Sequence, residues 1–370
     1  MKLLLSTDAI GGVWTYSIEL ARALERYDVE VALACLGPEP TPAQRAQANA
    51  LSNVRLFTKP FALEWMNEPW ADVDASAAWL GEIADVFGAD IVQLCSYSHA
   101  AFEWRVPVVL VAHSCVFSWW RAVHGGSPPA EWQEYYRRVC AGLESADLVV
   151  APSHGMLDAL NEIYVPPRRT TVIANARTTS LFAPRTRLPI VMSVGRLWDP
   201  GKNIGALARV SADLPWKVLV AGDPNSPDGN TIDYGNMRRL GSLAEHTLAA
   251  WLGCAGIYAL PAVYEPFGLS ILEAALSRCP LMLGDIPTLR ENWSDAAVFV
   301  PPHDDAALQD TLLELIADGS TRYRLAQSAY ERARTFSPGL QAQRYLSEYT
   351  TLLAERTLLA AAGRIEAVCV

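Results

Sequence analysis

Two series of short apolar runs, separated by one aperiodic polar stretch, limit what this chain can fold into. The first series lies at residues 3–6, 29–34, 91–95, 108–112, 148–151 and 171–174. The second lies at 190–194, 217–221, 237–240, 257–260, 281–283 and 297–300. Each run ends in a polar or glycine turn, usually followed by a segment of 3.6-residue period, such as Ile18, Leu20, Ala21 and Leu24 after Gly11-Gly12. Runs this short and this apolar read as strands buried on both faces, which is the pattern of a parallel sheet covered by helices. The stretch from Asn175 to Thr186 contains Pro184 and no periodicity, so a linker is expected near 183–188. A chain of 370 residues exceeds what one core usually serves. The expectation is an α/β protein of two Rossmann-like, doubly wound domains, 1–184 and 185–337, with a ligand cleft between the carboxyl ends of their strands. Pro338 can start a last helix at 338–356, with Leu340, Tyr345, Leu346, Tyr349 and Leu352 on one face.

Charge and cysteine usage narrow the function classes. Net charge is −10, which disfavours nucleic acid as a partner. Residues 1–184 hold 13 Lys/Arg and 20 Asp/Glu, a net of −7, so charge does not support docking on an anionic bilayer. No apolar run approaches the length of a membrane span, and the first strand meets Asp8 too soon for a signal peptide. Seven scattered cysteines without a C-x-x-C argue against a disulfide framework or a zinc site and favour a reducing cytoplasm.

The segment from Glu265 to Glu273 carries the strongest chemical signal. After an upstream buried strand at residues 255–261 it reads as a Pro-Phe-Gly turn and a helix, with Glu265 on the loop side of the turn and Glu273 inside the helix. The backbone N–H groups of Gly268, Leu269 and Ser270 would open that helix, and a helix start binds phosphate through unsatisfied donors and the positive end of its dipole. Glu265 would lie beside the phosphate, and Glu273 could reach a ribose hydroxyl. Arg196 follows a strand and Lys202 precedes a helix, so a planar fork and a point charge could converge on one diphosphate. Gly11-Gly12 opens the first helix and permits close backbone approach. His113 directly follows a buried strand. Ser96, Tyr97, His99 and Trp119 share that strand edge, where rings with polar neighbours suit an acceptor sugar. Asp72 and Asp74 match a metal-type D-x-D, but the pattern fits a helix N-cap better, so no metal is expected.

In order along the chain, "STDAIGG", "ADLVVAPS", "SVGRLWDPGKN", "VLVAGD" and "YALPAVYEPFGLSILEAA" resemble the family 4 glycosyltransferases, retaining enzymes of the GT-B fold. The resemblance spans nearly the whole chain. It implies a sugar nucleotide, here a UDP-hexose, held by the second domain with no further cofactor, and a glycan, lipid-linked or small-molecule acceptor held by the first. By matching position, Arg196 and Lys202 bind the diphosphate and Phe267 belongs to the donor loop. Glu265 faces the donor sugar, and Glu273 holds the ribose. Leu240, Gly241 and Ser242 meet the base, and His113 sits near the anomeric carbon. The last helix crosses back to the first domain. Two departures stand out: Ala174-Asn175-Ala176-Arg177-Thr178 replaces the usual Pro-Asn-Gly-Val-Asp, and Asp285-Ile286-Pro287 replaces a Gly-Gly near Glu291. A non-hydrolysing sugar-nucleotide epimerase and a silent sugar-nucleotide-binding scaffold are the competing readings.

Overall fold

Every strand in the computed structural model, which describes residues 1–225 and 233–368, runs parallel to its neighbours. The first sheet contains β1 (Lys2–Asp8), β2 (Glu30–Leu36), β3 (Val54–Thr58), β4 (Ile91–Leu94), β5 (Val108–Val111), β6 (Leu148–Ala151) and β7 (Thr170–Val172). Its order is β3-β2-β1-β4-β5-β6-β7. The second contains β8 (Leu188–Val194), β9 (Lys217–Ala221), β10 (Arg238–Gly241), β11 (Ala255–Leu260), β12 (Leu281–Gly284) and β13 (Ala297–Val300), in the order β10-β9-β8-β11-β12-β13. Parallel strands require crossovers. In the first half these include α1 (Gly12–Leu24), α2 (Pro42–Asn49), α3 (Trp70–Phe87), α4 (Val116–His124), α5 (Gln133–Ser145) and α6 (His154–Asn161). In the second they include α7 (Ile204–Val210), α8 (Glu245–Cys254), α9 (Leu269–Leu276) and α10 (Pro287–Trp293). After β13 come α11 (Asp305–Ala317), α12 (Gly319–Ala333) and α13 (Pro338–Val368).

Continuous apolar runs became strands because helices bury both faces of each sheet. Leu3, Leu4 and Leu5 of β1 are all fully buried, although they point alternately to opposite faces. Their neighbours divide accordingly: Leu4 joins the core under α3 and α5, and Leu3 and Leu5 join the core under α1 and α13. The expected series missed only β3. It is an edge strand, half-buried along its length and interrupted by Arg55, so it lacks the apolar run of an interior strand.

Order reverses between β1 and β4 in one sheet and between β8 and β11 in the other. A ligand crevice forms outside the carboxyl ends of strands at such reversals. The four strand ends concerned lead to Gly11-Gly12, Ser96, Arg196 and Glu265, which places the sequence candidates at the two reversal points.

The last helix runs from Pro338 to Val368, past the expected residue 356, and lies on the first sheet's side of the molecule. A buried polar chain fastens it there. Tyr349 Oη donates to Gln93 Oε1, Gln93 Nε2 donates to Tyr16 Oη at 2.7 Å, and Tyr16 Oη donates to Tyr345 Oη at 2.7 Å. Leu340 does not share the buried face with Tyr345 and Tyr349 as expected; it is 45% exposed. Asp72 is not an N-cap either. Pro69 occupies the cap position of α3, and Asp72 Oδ2 accepts from Ala62 N at 2.7 Å. Asp74 pairs instead with Arg138. Among the described residues no helix is long and apolar enough to cross a membrane, and the six described cysteines are all free thiols.

Candidate functional site

β8 ends at Val194 and delivers Arg196 to the cleft. The chain then turns through Asp199, whose side chain accepts from Gly201 N at 2.8 Å and so caps the 3-10 turn that carries Lys202. Arg196 Nη2 bonds Asp199 Oδ2 at 2.8 Å, while Arg196 Nε is buried and has no partner among the described residues. Lys202 Nζ bonds Glu265 Oε2. Two cations and two carboxylates thus alternate in one cluster of zero formal charge. Burial alone would raise the Asp199 pKa, but Arg196, Lys202 and the Trp119 indole N–H outweigh it and hold the carboxyl below its ordinary value.

Glu265 sits where β11 meets α9. Its backbone carbonyl accepts from Thr288 Oγ1 at 2.6 Å, and the carbonyl of Pro266 accepts from Ser153 Oγ at 2.7 Å. Both bonds hold the turn rigidly. Gly268 then takes a left-handed conformation (φ 90°), which a side chain would strain; an added Cβ would lie 2.5 Å from Ile271 Cδ1. That bend aims the start of α9 along the cleft. The N–H groups of Gly268, Leu269 and Ser270 make no hydrogen bond among the described residues. Side chains in this loop contribute less than expected. Phe267 is buried edge-on against Phe336, and Ser270 Oγ accepts from Tyr258 Oη and donates to Val194 O. Only backbone groups of these two residues remain for a ligand.

Gly11-Gly12 approaches the same helix start from the first domain. A Cβ on Gly12 would lie 3.3 Å from Leu269 Cδ1. Gly241, at the end of β10 with φ 70°, lies with Leu240 and Ser242 at the sheet edge beyond β9; its carbonyl accepts from Gly222 N.

The first-domain candidates divide. His113 packs edge-on against Tyr16 with ring centroids 4.4 Å apart, and its Nε2 lies 3.4 Å from Cys95 Sγ. Burial lowers its pKa to about 3, which keeps the ring neutral near pH 7. Ser96 and His99 line a recess with Ser6, Asp8, Glu64 and Trp65. Tyr97 does not face a ligand: it is 2% exposed and donates to Ser114 O. His99 is also 2% exposed, with Nε2 2.8 Å from Ser76 Oγ. Trp119 spans the cleft and donates from Nε1 to Asp199 Oδ1 at 2.9 Å. Its N–H is therefore a bond between domains, not a free contact for an acceptor.

Sequence reasoning missed three groups. Asp8 ends β1, accepts from Ile10 N at 2.7 Å, and has its pKa raised to about 6 by burial, with Ile10 and Arg196 opposing. The only sequence signal for it is an acid two positions before the Ile10-Gly11-Gly12 turn. Tyr264 Oη accepts from Cys115 N at 3.1 Å and lies 2.9 Å from Ser118 Oγ, joining the loop between β11 and α9 to α4. Arg177 bonds Glu273 Oε1 at 2.8 Å, so one oxygen of that carboxylate is already taken. Glu291 also has a role the residues did not disclose: it accepts from His154 N and Gly155 N, both at 2.8 Å, at the start of α6. Among the described residues no group of three His, Cys, Asp or Glu is placed to hold a metal ion.

Two family models match in succession, Glycosyltransferase Family 4 over residues 10–181 and Glycosyl transferases group 1 over residues 188–318. A D-inositol 3-phosphate glycosyltransferase of Corynebacterium efficiens is 26% identical, across 92% of this chain and 90% of that protein. A glycogen synthase of Mycobacterium tuberculosis is 30% identical across 51% of this chain and 50% of its own length. Among solved structures, a sucrose-phosphate synthase from Thermosynechococcus elongatus superposes with a TM-score of 0.79 at 18% identity, over 96% of this chain and all of that one. HepE of Anabaena, solved in complex with UDP-glucose, superposes with a TM-score of 0.77 at 18% identity, over 95% and 100% of the two chains.

Proposed function

We propose that this chain, which belongs to glycosyltransferase family 4 and has the GT-B fold, moves a hexose from UDP-glucose or a related UDP-hexose to a hydroxyl of a glycan, lipid-linked or small-molecule acceptor, with retention and without a metal. The observation that carries the reading is the cluster at the second sheet's reversal point. Arg196, Lys202 and the open start of α9 stand together, opposite Gly12 of the first domain.

Cleaving a sugar–diphosphate bond leaves negative charge on the departing oxygen, and stabilising that charge is the main catalytic requirement. Arg196 and Lys202 are held at the site by Asp199 and Glu265 before any ligand arrives. Such preorganisation removes the need to gather charges during reaction. Their two positive charges and the dipole end of α9 offset a diphosphate with no cation or other cofactor. As Lys202 turns to the diphosphate, Glu265 is released toward the donor sugar, where it orients hydroxyls and supports positive charge at the anomeric carbon. Glu273 takes the ribose, and Leu240, Gly241 and Ser242 meet the base. The acceptor enters from the first domain over Asp8, Ser96 and His113. HepE supports the choice of nucleotide, since its fold is shared and it was solved with UDP-glucose.

The test is turnover of UDP-glucose, read as UDP release with and without candidate acceptors. Acceptor-dependent release supports transfer. Glu265→Ala is expected to lower it at least ~10²-fold while the protein stays folded; near-wild-type turnover of that variant would sink the placement of the donor site.

A further inference from the structure

Arg177 lies in the linker, at the position where this chain departs from its family's usual motif. Its guanidinium is 4% exposed and serves three carboxylates at once. Nη1 bonds Glu19 Oε1 at 2.7 Å, Nη2 bonds Glu245 Oε1 at 2.6 Å, and Nε bonds Glu273 Oε1 at 2.8 Å. Glu19 belongs to α1 of the first domain, Glu245 to α8 and Glu273 to α9. Thr178 reinforces the first of these by donating N–H and Oγ1 to Glu19 Oε2, and Arg22 adds a second cation to Glu19 at 3.1 Å. One planar fork therefore joins the donor helix to the other domain. Such a three-way geometry suits arginine and not lysine.

Only one oxygen of Glu273 is used in this arrangement. Oε2 has no partner among the described residues and is not sealed from solvent. A carboxylate clamped through one oxygen, with the other unpartnered, can serve as a fixed acceptor for a hydroxyl. Without the guanidinium, three carboxylates would crowd one buried space. Burial already raises the Glu273 pKa against the opposing pull of Arg177. Removal of the arginine would leave Glu273 to take up a proton or turn away, and in either case the ribose would lose its fixed, charged acceptor.

We propose that Arg177 is a positioning residue for the donor nucleotide: by clamping Glu273 Oε1 it presents Oε2 to the ribose hydroxyls, and through Glu19 it ties that acceptor to the first domain. This rests on the reading of Glu273 as the ribose ligand. The two parts separate in one calorimetric comparison of UDP with 2′,3′-dideoxy-UDP. The wild type is expected to prefer UDP by about 10-fold or more, the range of a hydrogen bond to a charged group. Glu273→Gln and Arg177→Met are both expected to reduce that preference to near unity, and Arg177→Lys to keep part of it. A merely loosened fold would weaken both nucleotides together and leave their ratio unchanged. Should Arg177→Met fail to fold, the triple variant with Glu19→Gln and Glu245→Gln removes the excess charge, and it is still expected to lose the preference. Preference kept in the arginine variants but lost in Glu273→Gln overturns the positioning role alone. A wild type that binds UDP without preference, or not at all, overturns the ribose reading and the proposal with it.

Discussion

Removing Lys202 should separate the structural from the catalytic role of the central charge cluster. Its ammonium bonds Glu265, with the two side chains 14% and 9% exposed. Breaking a buried pair by deleting one partner costs about 3–5 kcal/mol, because the other charge is left buried and unpaired. Here the low end applies. Glu265 Oε1 keeps a long contact of 3.4 Å from Phe267 N, and Arg196 remains close enough to interact with it electrostatically. Lys202→Met should therefore cost about 3 kcal/mol, a shift of about 1 M in urea midpoint at a slope near 3 kcal/mol per M. The double variant Lys202→Met, Glu265→Gln leaves no unpaired charge, so it should recover most of that loss. Transfer behaves differently. Loss of one preorganised donor to a developing oxyanion lowers turnover about 10²–10³-fold, and the double variant should stay inactive although its stability returns. Fluorescence-monitored urea unfolding and UDP release measure the two effects. A Lys202→Met protein as stable as the wild type would mean the pair is not effectively buried. An active double variant would mean Lys202 has no part in departure of the diphosphate.

The remaining predictions are independent of that pair. Burial lowers the pKa of His99 to about 4 and of His113 to about 3, while the unfolded imidazoles titrate near 6.5. At these two sites the unfolded state thus binds more protons below pH ~6.5, so their contribution is complete above that pH and is lost toward pH ~4; Asp8, raised to about 6 in the fold, offsets part of this loss because it takes its proton first in the folded state. Urea midpoints at pH 7.5 and 5 check this, and equal midpoints would refute it. Gln93→Leu leaves the Tyr349 hydroxyl without a partner in the core, while Tyr16 Oη keeps its bond to Tyr345, and should cost about 1–3 kcal/mol for the one stranded polar group. A melting temperature within a degree of the wild type would contradict that buried network. Transfer should survive excess EDTA unchanged, because Arg196, Lys202 and the start of α9 supply the positive charge; activity lost to EDTA and restored by Mn²⁺ would reveal a metal site.

The strands and the turn before α9 were legible because their signals are local. A strand buried on both faces must be apolar throughout, so β5, β6 and β12 appear as uninterrupted runs. The spacing of Glu265 and Glu273 across turn and helix depends only on residues between them. Edge strand β3 was hidden because half its surface faces water and its composition need not be apolar.

The chain by itself determined two parallel-sheet domains, the order of their elements, and a strand–turn–helix segment through Glu265 and Glu273 in the second. What those side chains touch was decided by tertiary structure. Lys202 meets Glu265 from 63 residues away, Trp119 meets Asp199 across 80, and Arg177 meets Glu19 across 158. No periodicity encodes such pairings, since they depend on how the strand ends of two sheets are brought face to face. That apposition engaged the indole N–H of Trp119 with Asp199 and placed Arg177 on Glu273. Sequence spacing reports which face of its own element a residue occupies; only the packed domains decide which opposing charge waits there.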